Sequence, residues 1–526
     1  MNSMKSMIFS ALMLSAFALT ACSDDNFAGD PSKDWAGTTT AFASTDEAGF
    51  STYFTPAIGR VGDPMPFYDQ KAGNFKIMYL QEYDNNSSYR FHPIWAVETS
   101  DGANYKSLGE WVSTGAFDNE QDAALGTGCC FYSEKDQLYY IYYTGHNGSL
   151  AIKEAVMRAT SPDLKTWTKD NSWTLYGKDS NLSGDDFRDP QIFKEGNKYH
   201  MVIATKPATG GDPCFADYTS DDMKNWKFDG TFKMIWDRFL ECPDIFQMGN
   251  YWYLVYSEST RTSWSRKVKY MVADSWENLK KCFNDGPKWP DVREGVLDTR
   301  AFYAGKTASN GTDRYIWGWC PFRVGADNYA KNVNVGAGDG NEPAWSGALV
   351  CHKLQQNQDG TLTCVAVPAM AAKYSQKKEV KVMEQTKDYT LYSRLGKHNH
   401  ISFTVKTAGN DDKFGVSFVR STDNEKRYTL KFNNPHWEAD KKDLRRIEFE
   451  EEGGMGFIDA ADGYFVPRPA DNTYKIDIYT DNSVLVMYVN NNTCYTGRIY
   501  GIEKNCWSIN SYGGSITVSD LMISEY

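Results

Sequence analysis

The chain has 526 residues, enough for two domains, and its 41 % hydrophobic and 24 % charged shares are those of an ordinary globular protein. A net charge of −12 without any basic stripe excludes nucleic acid as a partner, because phosphates need a basic face. The aromatic share of 15 % is high; such residues favour strands and offer flat faces to sugar rings, although β-rich domains also gather them for packing alone.

In chain order, the N-terminus reads as a processing segment. Lys5 supplies a positive start, and Met7 to Leu19 form an apolar stretch too short for a membrane-spanning helix. It ends in Leu19-Thr20-Ala21-Cys22, which resembles the lipobox of a bacterial lipoprotein. That resemblance implies a signal peptide over 1–21, acyl chains on Cys22 and a tether over 22–52. It also implies attachment to the outer membrane, cell surface or periplasmic face of a Gram-negative bacterium through lipid. Of the other ten cysteines, Cys351 with Cys364 and Cys494 with Cys506 are close enough in sequence for either pair to bridge. No Cys/His spacing resembles a metal site.

From residue 53 to 370 one unit recurs five times, beginning at Gly62, Gly126, Phe187, Glu241 and Leu297, about 55–65 residues apart. Each copy is a short acidic or glycine turn, a strand, a Gly/Asp/Asn turn and an aromatic-rich strand. Several are followed by a Ser/Thr-Asp-Trp signature, as at Ala159 and Tyr218 and more loosely at Thr99 and Val272. Its Ser and Asp are turn formers, and its Trp is expected to open the next strand. Four strands per unit predict an all-β, five-bladed β-propeller. A polar, Lys-rich linker is expected over 371–388. From 389 to 526 short strands separated by Asn, Asp and Gly turns predict a β-sandwich with no catalytic carboxylate constellation.

The turns that open three repeats carry acids: Asp63 before Pro64, Asp189 in Arg188-Asp189-Pro190, and Glu241 in Glu241-Cys242-Pro243-Asp244. Each motif alone is ordinary turn chemistry. At equivalent places in a propeller, however, three carboxyl groups converge at one end of the axis.

Asp63-Pro64, Phe187-Arg188-Asp189-Pro190 and Glu241-Cys242-Pro243-Asp244, in this order and spacing, resemble glycoside hydrolase family 32. So do LDTRAFYA from Leu297, RYIWGW from Arg314 and WSGALV from Trp345. The resemblance implies hydrolysis of β-fructofuranosidic bonds in fructans such as levan or inulin, or in sucrose-type fructosides, with no cofactor. By the same resemblance Asp63 is the nucleophile, Glu241 the general acid/base, and Asp189 the residue that holds the fructosyl hydroxyls. Arg188, Gln81, Trp95, Asp298 and Trp319 are the candidate substrate-binding residues. Trp95, Trp236, Trp264 and Trp319 are sugar platforms or blade-packing residues on equal footing. A retaining route needs the two reacting carboxyls about 5–5.5 Å apart. Arg188 is expected to keep Asp189 ionised. The sequence departs from the family pattern around the nucleophile: Arg60-Val61-Gly62 stands where the family has Trp-Met-Asn, and Gly126-Thr127-Gly128 replaces a Ser-rich turn. Two alternatives remain open, a non-catalytic glycan-binding surface lipoprotein and an inverting glycosidase of a related five-bladed family.

Overall fold

The computed structural model describes residues 51–526 except 58, 84–91, 235–238, 259–266, 286–292, 322–344, 420–426, 435–442, 453–455 and 458–463. Cys22, Trp236 and Trp264 lie outside the described residues. No helix among the described residues is long and apolar enough to cross a membrane.

Five blades of four antiparallel strands span residues 60–112, 124–169, 182–233, 240–296 and 303–365. The first strand of each blade lines the axis: Arg60–Asp69, Ala124–Ser133, Leu182–Glu195, Leu240–Met248 and Tyr303–Ser309. Each of these touches the next, and the fifth touches the first, which closes the ring. Val61 of blade one also pairs with Gly347 of blade five, so those two blades share one hydrogen-bonded sheet.

The Ser/Thr-Asp signature folds into the same turn three times. Thr99 with Asp101, Ser161 with Asp163, and Ser220 with Asp222 accept hydrogen bonds from the backbone amides of the next few residues. In blade four the expectation of a strand at the Trp fails. Ser275 accepts the N–H of Asn278, and a helix runs over Trp276–Asp285. Trp276 is fully buried against Phe193 and Phe232, so tertiary packing of the indole supports the helix there.

The expected linker is bound into the structure. Gln376–Lys378 pairs with the C-terminal strand Ile516–Glu525, and Val382–Gln385 pairs with Tyr389–Tyr392, so the polar connector supplies edge strands to both sandwich sheets. Polar residues suit that position, since a charged edge resists unwanted pairing. The last residues of the expected tether are likewise held: the amides of Ser51 and Thr52, with that of Tyr53 just beyond it, donate to Oδ2 of Asp481 in the sandwich.

The strand Val484–Val489 explains how the domains join. Its residues are buried on both faces, with Val484, Val486 and Tyr488 in a core shared with the propeller, and Leu485, Met487 and Val489 in the sandwich core. Side chains alternate along a strand, so one uninterrupted apolar run serves two cores. Neither candidate pair is bridged: Cys351, Cys364, Cys494 and Cys506 are all free thiols.

Candidate active site

The axial strands share one irregularity. Pairing with the second strand slips between Gly62 and Met65, Gly126 and Gly128, Arg188 and Gln191, Glu241 and Asp244, and Tyr303 and Lys306. Such a slip bends a strand and re-aims its side chains. Here it produces two rings of residues at one end of the axis. One ring is Gly62, Gly126, Arg188, Glu241 and Tyr303; the next is Asp63, Thr127, Asp189, Cys242 and Ala304. The three acids are therefore not equivalent in the repeat, since Glu241 stands one residue ahead of Asp63 and Asp189. Asp189, Cys242 and Ala304 have positive φ angles of 61°, 53° and 53°, backbone strain repeated at the same place in three blades.

Asp63 is 9 % exposed and fixed from two sides. Thr127 Oγ1 donates to its Oδ2 at 2.7 Å, and Trp319 Nε1 donates to its Oδ1 at 2.9 Å. Both bonds hold the carboxylate in a single rotamer. Trp319 is itself fully buried, so it positions Asp63 and presents no face to a sugar. The Gly126-Thr127-Gly128 turn keeps a hydroxyl at its centre, and that hydroxyl is the one on Asp63.

Glu241 is more open, its side chain 25 % exposed. Tyr303 donates to Oε2 at 2.8 Å, and Arg188 Nε lies 3.7 Å from Oε1. The Tyr303 ring meets Trp319 edge-on at 5.5 Å, so a continuous chain of contacts runs from Asp63 through Trp319 and Tyr303 to Glu241.

Arg188 does not pair with Asp189 as expected. Its Nη1 bonds Glu154 at 2.6 Å and its Nη2 bonds Asp186 at 2.9 Å, while its guanidinium covers the Phe239 ring. Burial alone would raise Glu154, but Arg188 and His146 outweigh it and hold its carboxyl below the usual range. Asp189 is left as the buried acid of the group. Burial, with Glu241 and Asp63 adding repulsion, exceeds the help of Arg188 and of the Cys242 amide and pushes its carboxyl up to about 7. Asp189 therefore shares its proton with the solvent near neutrality instead of staying ionised. Lys306, also buried, donates to the carbonyl of Gly128 on the axial strand of blade two.

The other sequence candidates have different tasks. Gln81 is fully buried, and its side-chain amide lies where a Cβ on Gly59 would stand, a close approach that requires glycine there along with its φ of +82°. Trp95 packs against the core between propeller and sandwich. Asp298 is fully buried at the domain junction, accepting from the amides of Thr299 and Thr496, the Thr496 hydroxyl and His352 Nε2. Asp298, His352 and Cys494 bring their ligand-type atoms within 4.8 Å of one another. All three are engaged by hydrogen bonds, His352 also with Tyr488 and Cys494 with the carbonyl of Leu297, so the group ties the domains together. Asp244 is structural as well, accepting from the amide and hydroxyl of Thr307. Sequence reasoning missed Thr127, Glu154, Tyr303 and the amide of Cys242. Two of them carried a signal: Tyr303 opens the axial strand inside the LDTRAFYA motif, and Thr127 is the hydroxyl of the Gly126-Thr127-Gly128 turn that stands in for a Ser-rich one.

A family model described as glycosyl hydrolases family 32 N-terminal domain matches residues 53–337, and one described as GH32, BT1760-like, C-terminal domain matches residues 360–523. Fructan beta-fructosidase of Streptococcus mutans is 27 % identical over 177 residues, covering 32 % of this chain and 11 % of that protein. Sucrose-6-phosphate hydrolase of Zymomonas mobilis is 28 % identical over 229 residues, 39 % of this chain and 42 % of that protein. The matches thus span less than half the length of these two curated relatives. Among solved structures, sucrose-6-phosphate hydrolase from Lactobacillus gasseri superposes with a TM-score of 0.70 at 16 % identity, covering 93 % of this chain and 95 % of that one. Exo-inulinase from Aspergillus awamori superposes with a TM-score of 0.67 at 15 % identity, covering 90 % and 97 %. At such identities the likeness is one of fold. The first match covers most of the propeller and the second runs from the last strand of blade five through the sandwich, and by them the chain belongs to glycoside hydrolase family 32.

Proposed function

We propose that this chain hydrolyses β-fructofuranosidic bonds with retention of configuration, with Asp63 as nucleophile and Glu241 as general acid and then base. The observation that supports this reading best is the pair of unlike environments around the two carboxylates. Asp63 is nearly buried, held by two donors and unable to swing, which suits attack on an anomeric carbon. Glu241 is partly open, with the Tyr303 hydroxyl on Oε2 and Arg188 Nε 3.7 Å from Oε1, which suits trading a proton with a leaving oxygen and then with water. Asp189, between them and nearly buried, is placed to take a hydrogen bond from a fructosyl hydroxyl when ionised or to give one when protonated.

The expected substrates are levan, inulin or sucrose-type fructosides. The test is a product profile of the purified protein on each. Fructose alone would mark exo cleavage, and a ladder of fructo-oligosaccharides would mark endo cleavage. Methanol added as acceptor should yield the β-anomer of methyl fructofuranoside if configuration is retained. No product from any fructan would overturn the reading in favour of a glycan-binding protein.

Attachment to a bacterial membrane through acylated Cys22 is a separate proposal, supported by the lipobox-like Leu19-Thr20-Ala21-Cys22. Labelled palmitate should enter the expressed protein and should fail to enter a Cys22→Ala variant.

A further inference from the structure

Arg188 stands among four acids, Glu154, Asp186, Asp189 and Glu241, and its charge is divided between them. Its Nη1 donates to Oε1 of Glu154 at 2.6 Å and its Nη2 to Oδ1 of Asp186 at 2.9 Å. Its buried Nε has no hydrogen-bond acceptor among the described residues and lies 3.7 Å from Oε1 of Glu241. Asp186 already has a second cation, because its Oδ2 accepts Lys206 Nζ at 2.9 Å. The two cations and the two carboxylates of Glu154 and Asp186 sum to zero, and Glu154 is the one that balances Arg188 itself.

Glu154 opens the third strand of blade two, Glu154–Ser161, and is 2 % exposed. Its Oε2 accepts the backbone N–H of Phe187 at 2.7 Å, so one side chain grips both the guanidinium of Arg188 and the chain directly before it. His146, its cross-strand neighbour, brings Nδ1 to 3.5 Å from Oε1. Burial works against the charge of Glu154, but Arg188 and His146 outweigh it and keep the carboxyl ionised. The consequence falls on Glu241. A general acid must carry its proton when the leaving oxygen departs, and a bare guanidinium 3.7 Å away would favour the ionised form instead. In a site this dry, water screens that pull poorly.

We infer that Glu154 is a positioning residue for the acid/base: from blade two it holds Arg188 beside Glu241 and offsets its charge, so that Glu241 keeps the proton it delivers to the leaving oxygen. This rests on the reading of Asp63 and Glu241 as the reacting pair. In the first step the glycosidic C–O bond breaks, Asp63 bonds the anomeric carbon, and the Glu241 proton goes to the departing oxygen. In the second, water attacks that carbon, Asp63 leaves, and a water proton returns to Glu241. Glu154 touches none of these atoms and acts through Arg188 alone.

The experiment is a pH profile of kcat/KM on the full chain with two substrates, a fructo-oligosaccharide and p-nitrophenyl β-fructofuranoside. The nitrophenolate departs without a proton, so only the first substrate needs Glu241 as an acid. Glu154→Gln should move the alkaline limb for the oligosaccharide about one unit to lower pH, a loss of about tenfold on that side. For the nitrophenyl substrate it should change kcat/KM less than about twofold. Glu154→Asp keeps the anion and should return the limb to the parent's position. An unmoved limb would overturn the inference. So would a limb that moves equally with both substrates, since that assigns the effect to Asp189, which meets the same fructosyl group in each. Melting curves verify folding. If Glu154→Gln does not fold, Asp186→Asn decides: it leaves Lys206 unmatched beside Arg188 and should move the limb in the same direction by a smaller amount, and no movement would overturn the inference. A parent that cleaves neither substrate would overturn the fructoside reading and the role of Glu154 together, whereas an active parent with insensitive variants would overturn only the role of Glu154.

Discussion

The backbone N–H of Cys242 donates to Oδ2 of Asp189 at 2.8 Å, so the residue directly after the acid of blade four is tied to the acid of blade three. Cys242 is in the left-handed region at φ 53°, and that conformation turns its amide toward the neighbouring blade. One hydrogen bond thus links the placement of Glu241 to that of Asp189.

Asp189 should give the site a titration near neutrality. Its carboxyl is raised from 3.8 to about 7, so the folded chain holds this proton more tightly than the unfolded chain does. The sign follows from linkage: stability falls as pH rises from about 4 through about 7, because ionising Asp189 costs more in the folded protein. Asp189→Asn should abolish this slope, becoming more stable relative to the parent with increasing pH over that window. KM for a fructo-oligosaccharide should lose its inflection near pH 7 in the same variant. Parallel stability curves for the two proteins would contradict the prediction.

Asp63→Asn and Glu241→Gln keep shape and remove charge. Each is expected to lower kcat by about 10³-fold or more with little change in melting temperature. Added azide should restore turnover in Asp63→Asn, giving a glycosyl azide of inverted configuration, because a small anion can replace the missing carboxylate. Steady-state assays with and without azide check both expectations.

Trp319→Phe removes the indole N–H from Oδ1 of Asp63 while leaving most of the ring packing in place. A hydrogen bond to a charged group contributes about 1.5–3 kcal/mol, which corresponds to roughly 10- to 100-fold in rate if it all acts in the transition state. A fall of that size in kcat without a matching rise in KM is expected, since Trp319 is fully buried and positions the nucleophile only.

Asp298→Ala leaves His352 and Thr496 facing a buried gap where four hydrogen bonds met. Removing one partner from a buried charged network costs about 3–5 kcal/mol. A lower denaturant midpoint is expected, with kcat per folded molecule unchanged. A fall in kcat at unchanged stability would place Asp298 back among the substrate-binding residues.

The repeat, the acids and the sandwich strands were legible because each is a local pattern. Asp63-Pro64, Arg188-Asp189-Pro190 and Glu241-Cys242-Pro243 mark strand openings, and their strands form where the pattern puts them. What misled was partner choice. Arg188 is next to Asp189 in sequence, yet the slip in pairing points consecutive side chains into different rings, and Arg188 reaches Glu154 instead. Trp319 and Asp298 read as sugar contacts because their motifs are those of a pocket, yet burial turns both inward.

By itself, then, the sequence determined the five blades, the sandwich and the three acids, because turn residues and strand alternation act over a few neighbours. The tertiary structure alone decided the tier on which each acid sits, the donors that hold it, and the upward shift of the Asp189 carboxyl. It alone laid the indole of Trp345 on the bare backbone of Gly62. Those depend on closing the ring, which brings residues hundreds of positions apart within hydrogen-bond reach and removes the water that would otherwise level their charges.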